Sequence, residues 1–205
     1  MVLVLEAGPE AIRRAAEVVA GGGLLIYPTD TVYGLGCDPF NEEAVRRVFE
    51  VKGRGDKPLP VLASSLEKAK RIAFFRPLAL RIAKAFWPGP LTLVLPRKPS
   101  LPDVVVCGAP SVGVRVPGHE FALELIEACG GLLVGTSANK SGRPAPRTAQ
   151  EAIAELGDLV DLVVDAGPSP LGRPSTIVDL TSPQDIRVIR EGPIKLEEVE
   201  AIIRA

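Results

Sequence analysis

Two spacings of apolar residues run through this chain, and together they divide it into strands and helices. Val2 to Leu5 and Leu24 to Tyr27 are short apolar runs of strand length. Between them, Pro9 to Ala20 sets Ile12, Ala15, Ala16 and Val19 on one helical face, and Gly21 to Gly23 end it. The next helix, 41–51, turns Ala44, Val45, Val48 and Phe49 toward the core; Asn41 can cap it, and Glu42 and Glu43 suit the positive end of its dipole. Pro60 to Ala63 reads as a strand. A helix from 66 to 73 follows, capped by Ser64 or Ser65, and then a second after Pro77 with Leu78, Ile82 and Phe86 at four-residue spacing. Trp87-Pro-Gly-Pro90 stops it, since proline cannot continue a helix.

Leu91 to Leu95 alternates as a strand, and Pro96 to Pro102 is a loop. In Ser111 to Val116, Val112, Val114 and Val116 share one face while Ser111, Gly113 and Arg115 share the other. Phe121, Ala122, Leu125, Ile126 and Cys129 form a helical stripe, Leu132 to Gly135 a strand, and Thr148 to Leu156 a helix. The late strands 159–164, 176–180 and 186–190 lack helices between them, so the sheet is expected to be mixed; Lys195 to Arg204 closes the chain as a helix. The fold class is therefore α/β, a twisted mixed β-sheet with flanking helices. One domain over 1–205 is expected, because no repeat, low-complexity tract or linker interrupts the pattern.

The pattern breaks between Pro28 and Pro60. A strand ends at a proline, and Thr29, Asp30, Thr31 and Tyr33 follow at once, a cluster of donors and acceptors suited to a site. Gly34 and Gly36 allow positive φ or a close approach of the main chain to a ligand. Lys52, Arg54 and Lys57, spaced by Gly53 and Gly55, have no packing reason to cluster on a loop and suit a polyanion. A second polar loop runs from Thr136 to Gly142. Hydroxyls, amides and cations of this kind hold phosphates and a carboxylate, with positioning and electrostatics supplying the catalysis.

Composition changes this picture in a few places. No apolar run is long enough to span a bilayer, and MVLVLEAG lacks a basic n-region and a cleavage site, so it reads as a strand and cytoplasmic residence is expected. Three cysteines, Cys37, Cys107 and Cys129, with the single His119 assemble no zinc pattern. His119 reads as a helix cap and Cys37 as a buried thiol, ahead of a nucleophile–base pair. Neither a P-loop nor a dinucleotide fingerprint is present. The formal net charge of −1 hides 13 Lys/Arg against 3 acids between Arg46 and Lys98, an electropositive surface for nucleotide phosphates or RNA. In a chain with two asparagines, Asn41 and Asn139 are expected where a cap or an amide is needed.

Seven separated motifs then point one way: PTDTVYGLGCD from Pro28; Lys52-x-Arg54 with Lys57-Pro58; Trp87-Pro-Gly-Pro90-Leu-Thr; Val114-Arg115-Val116-Pro117; Thr136-Ser137-Ala138-Asn139-x-Ser141-Gly142; Pro174-Ser175-Thr176-Ile-Val-Asp179; and Arg190-x-Gly192. In this order they resemble the YrdC/TsaC family of L-threonylcarbamoyladenylate synthases, in a single-domain form with a YrdC-like open cleft. The resemblance implies condensation of L-threonine, bicarbonate or CO2, and ATP into threonylcarbamoyl-AMP and pyrophosphate, with Mg2+ on the triphosphate. The product would pass to a tRNA threonylcarbamoyl-transfer complex. Carried over by motif, Thr31, Arg115 and Ser175 would contact threonine, Arg115 as a bidentate fork on its carboxylate. Lys52, Arg54, Ser111, Ser137, Asn139 and Arg190 would contact ATP. Metal ligands are not assigned. The alternatives are an RNA-binding module of the same fold, held by phosphate contacts, and a carbamoyl-AMP-forming or YciO-like relative.

Overall fold

The computed structural model describes residues 2–182 and 186–204. Strand β1 (Leu3–Glu6) and helix α1 (Pro9–Ala20) lead into β2 (Leu25–Tyr27) and β3 (Gly34–Gly36). Helix α2 (Glu42–Lys52) starts where Asn41 Oδ1 accepts from the Ala44 amide at 3.1 Å, and it ends at Gly53, whose φ of 56° is the left-handed conformation that glycine adopts at a helix C-terminus. Strand β4 (Val61–Ala63) precedes α3 (Leu66–Ala69), capped by Ser65. This helix is shorter than the expected 66–73, because Ala73 bridges to Arg97 and the Phe74 amide donates to the Pro96 carbonyl, drawing the chain out along the next strand.

Helix α4 (Pro77–Phe86) ends before Trp87, and β5 (Leu91–Pro96) follows. The segment beyond it contains a short helix that proline spacing did not suggest, α5 (Asp103–Val106), anchored by the Leu59 amide on the Val105 carbonyl. Then come β6 (Ser111–Arg115), α6 (Glu120–Ala128), β7 (Leu132–Val134), β8 (Thr136–Ser137), α7 (Ala149–Leu156), β9 (Leu162–Asp165), β10 (Thr176–Asp179), β11 (Arg187–Arg190) and α8 (Leu196–Arg204). His119 caps α6 through Nδ1, as its place in the sequence suggested.

The mixed α/β expectation holds, and the strands divide between two sheets. One has the order β1-β9-β2-β3-β8, the other β11-β10-β5-β6-β4-β7, and each combines parallel and antiparallel pairs. The chain passes from one sheet to the other between β7 and β8, at Gly135. A side chain there would collide with Leu62.

The six-stranded sheet has two unlike faces because its strands alternate strictly. Leu91, Leu93 and Leu95 of β5, Val112 and Val114 of β6, and Val178 of β10 are buried in the main core. The intervening positions, Thr92 and Val94, Ser111, Gly113 and Arg115, and Ile177 and Asp179, point the other way and floor an open cleft. Burial of one face thus holds the other in place.

Candidate active site

The cleft encloses about 460 Å³. Its floor is the polar face of the six-stranded sheet; its walls are the loop after β2 (Thr29, Thr31, Val32), the Arg54–Pro60 segment, Gly135 to Ser137, and Pro174 to Ser175 with Arg190. Seven of the residues expected from sequence meet here although they are far apart in the chain: Thr31, Arg54, Ser111, Arg115, Ser137, Ser175 and Arg190.

Strand pairing lays out the floor. Thr92 pairs with Ile177 of β10, which pairs in turn with Arg190 of β11; the register of β5 on β6 puts Leu93 opposite Val114, with Arg115 next. Arg115, Thr92 and Arg190 thus lie across one end. Ser111 lies four residues back along β6, roughly 13 Å away at strand rise.

At the Arg115 end the guanidinium is 5% exposed and held on three sides. Nε donates to the Gly89 carbonyl at 3.0 Å, one Nη donates to Thr31 Oγ1 at 2.8 Å, and the other forms an ion pair with Asp30 Oδ1. Burial pulls the Arg115 pKa down and the Asp30 charge opposes that shift. An arginine has five N–H donors, so two remain, one on each Nη. Thr31 is fixed in turn by Thr29, whose hydroxyl lies 3.0 Å from Thr31 Oγ1 and donates to the Val32 carbonyl at 2.7 Å.

Ser175 Oγ sits 2.8 Å from Thr92 Oγ1 and accepts from an Arg190 Nη at 3.2 Å, while Arg190 Nε donates to the Ser175 carbonyl. Arg54 donates to the carbonyls of Lys57 and Pro58. Desolvation lowers the pKa of both Arg54 and Arg190, and the Arg115 charge lowers Arg190 further. Among the described residues neither has a carboxylate partner. Asp179, also on the floor, has Oδ1 occupied by the amide and hydroxyl of Thr181.

Two of the expected ATP contacts, Lys52 and Asn139, do not line the cleft and lie just behind its wall. The Lys52 ammonium is buried beneath the Ser137–Asn139 segment and donates to the Ser137 and Asn139 carbonyls, the latter at 2.6 Å. Burial and then the Arg54 charge bring its pKa to about 8. It ties helix α2 to the cleft wall and is not part of the lining. Asn139 is likewise behind the wall: its Nδ2 closes the following turn on the Lys140 and Arg143 carbonyls, and its buried Oδ1 has no protein partner.

Other sequence expectations also change. The Tyr33 phenol points away from the cleft, donating to the Gly167 carbonyl at 2.7 Å and accepting from the Ala166 amide; burial raises its pKa to about 12. Gly36 has no positive φ. A Cβ there would lie 2.7 Å from the Tyr27 ring and 2.8 Å from the Val134 carbonyl, so this glycine makes room for a core side chain. Cys37, by contrast, is the buried thiol the sequence suggested: it is fully buried, with burial pushing its pKa to about 12, which suits an inert thiol. Asp30, behind the cleft, and Thr92, on its floor, were given no specific contact by the sequence. Thr92 could have been found by the alternation already applied to Ser111–Val116. The side-chain partner of Asp30 lies 85 positions away and has no local signal.

Comparison with known proteins gives a consistent result. The model of the Sua5/YciO/YrdC family, described as telomere recombination, matches residues 17–192. The chain is 42% identical to a threonylcarbamoyl-AMP synthase of Pyrococcus abyssi over 194 residues, 94% of this chain and 57% of that protein. It superposes on the structure of P. abyssi Sua5 complexed with L-threonine with a TM-score of 0.93 at 40% identity, covering 99% of this chain and 61% of the other. E. coli YciO is similar at a TM-score of 0.87 and 27% identity, covering 97% and 98% of the two chains. The chain thus spans little more than half the length of its P. abyssi relative.

Proposed function

The chain belongs to the Sua5/YciO/YrdC family, and we propose that it is an L-threonylcarbamoyladenylate synthase, a nucleotidyltransferase that joins L-threonine, bicarbonate or CO2, and ATP. The observation that carries this reading is the set of three arginines over one cleft floor, of which Arg115 is paired with a carboxylate while Arg54 and Arg190 donate only to carbonyl and hydroxyl oxygens among the described residues.

The two remaining Arg115 donors suit the parallel oxygens of an amino-acid carboxylate. Thr31 and Ser175 border the same end and present hydroxyls to the rest of the amino acid. Arg54 and Arg190 supply positive charge for a triphosphate, and Ser111 and Ser137 supply hydroxyls for the nucleotide. Asn139 and Lys52 serve by holding the segment that carries Ser137. Mg2+ enters with ATP as part of the substrate.

The chemistry asks little of an acid–base residue. The threonine amine adds to CO2 and releases a proton, forming a carbamate; a carbamate oxygen then attacks the α-phosphorus and pyrophosphate leaves. Alignment in a site with little water and neutralisation of the leaving pyrophosphate are the main contributions required of the protein. A product this reactive is expected to pass directly to a tRNA-modifying complex, and cytoplasmic residence fits that use. The test is pyrophosphate release from ATP with and without threonine and bicarbonate. Release dependent on both supports the reading. Release with carbamoyl phosphate in their place favours a carbamoyl-AMP-forming enzyme, and salt-sensitive RNA binding without turnover favours a binding module.

A further inference from the structure

The acid behind Arg115 has a consequence for what the cleft admits. Asp30 and Arg115 are each 5% exposed, and their ion pair is buried among Gly89, Gly118 and Thr31. Asp30 Oδ2 has no protein partner, so only one oxygen of the carboxylate holds the arginine. A carboxylate needed solely to orient the guanidinium could be replaced by a neutral amide without losing a hydrogen bond, because an amide oxygen accepts equally. What the amide would lack is the negative charge.

We propose that Asp30 is a specificity-determining positioning residue that makes Arg115 a monocarboxylate site and keeps phosphates off it. With Asp30 in contact, Arg115 has two N–H donors left over and its charge is largely offset. A carboxylate monoanion is satisfied by two such donors. A phosphate or pyrophosphate, which carries more charge, gains less from Arg115 than from Arg54, which has no acid partner among the described residues. Arg54 and Arg115 share one open cleft of about 460 Å³, so without this difference the triphosphate, or the pyrophosphate it releases, would compete for Arg115. This inference rests on the proposed synthase reading for the identity of the monocarboxylate.

The test uses the full chain, with acetate and inorganic phosphate as probes and the Arg115 side-chain Nε–H NMR resonance as readout, alongside calorimetric displacement of threonine. In the parent protein, acetate shifts the Arg115 resonance and displaces threonine, and inorganic phosphate does neither at equal concentration. In Asp30→Asn, phosphate gains affinity at Arg115 by at least about tenfold relative to acetate, since removing a charge a few ångströms away favours the more highly charged anion, and it then competes with threonine. Equal responses to phosphate and acetate in the parent would overturn the proposal even if the variant failed to fold, and an unchanged phosphate-to-acetate ratio in folded Asp30→Asn would overturn it too. If threonine fails to bind with or without a non-hydrolysable ATP analogue while the Arg115 resonance still discriminates acetate from phosphate, the synthase reading fails and the charge-selection inference stands.

Discussion

Lys52 and Asn139 are joined by a 2.6 Å hydrogen bond from a buried ammonium to a main-chain carbonyl, which fastens the end of helix α2 beneath the Ser137–Asn139 wall of the cleft. Lys52→Met is therefore expected to leave the Asn139 carbonyl without a donor, at about 1–3 kcal/mol for a buried acceptor left unpaired, while the Ser137 carbonyl keeps the Asn139 amide. The variant's thermal midpoint should fall together with its ATP affinity. A parental midpoint with a selective loss of ATP affinity would show that Lys52 contacts phosphate directly.

Arg54→Ala should behave differently. Its partners are the carbonyls of Lys57 and Pro58 on an exposed loop, so folding should survive. A lost charge-assisted contact of about 1.5–3 kcal/mol lowers kcat/KM for ATP roughly ten- to hundredfold. Pyrophosphate-release kinetics at varied ATP, on protein with an unchanged melt, check this.

Arg115→Ala strands the Asp30 carboxylate in the interior and should cost about 3–5 kcal/mol. Asp30→Ala combined with Arg115→Ala removes both charges and should recover part of that loss, giving a favourable coupling in a double-mutant cycle. Strictly additive urea-denaturation energies would show that the two charges do not depend on each other. Arg115→Lys keeps the charge and loses the fork, so threonine use should fall more than ATP binding.

Alkaline pH provides a test of core burial at Cys37. Its folded pKa of about 12 lies above the ordinary value of 9.0, so between these limits the folded chain retains a proton that the unfolded chain has lost. Stability from this thiol is fully present below pH 9 and declines as pH rises toward 12, by up to about 1.4 kcal/mol per pH unit. Cys37→Ala should show a correspondingly shallower decline in denaturation experiments between pH 9 and 11. Parallel curves for parent and variant would mean that the thiol is not shielded.

Asn41 offers a contrast to the cleft residues. Removing its cap on Ala44 through Asn41→Ala should cost about 1 kcal/mol of stability and leave kcat and both KM values of the folded enzyme unchanged. A selective kinetic defect would place Asn41 in the function.

Local chemistry was enough to read much of this protein. Helix α1 starts at Pro9 and ends at Ala20 as its apolar spacing and glycines indicate, Asn41 and His119 cap as their positions suggest, and alternation in Ser111–Val116 correctly turned Arg115 away from the valines. Such features depend on neighbours within a few residues, where backbone geometry fixes which side chains share a face. The division into two sheets, the shortening of α3 and the course of α5 depend on strand pairing between distant segments, which no local period encodes. For the same reason tertiary structure alone decided that Lys52 faces carbonyls in place of the cleft, that Gly36 accommodates Tyr27, and that Asp30 meets Arg115. A charged residue in a sequence announces only that it needs a partner. Which partner it finds, and how much charge remains for a ligand, follows from how the sheets bring those segments together and exclude water between them.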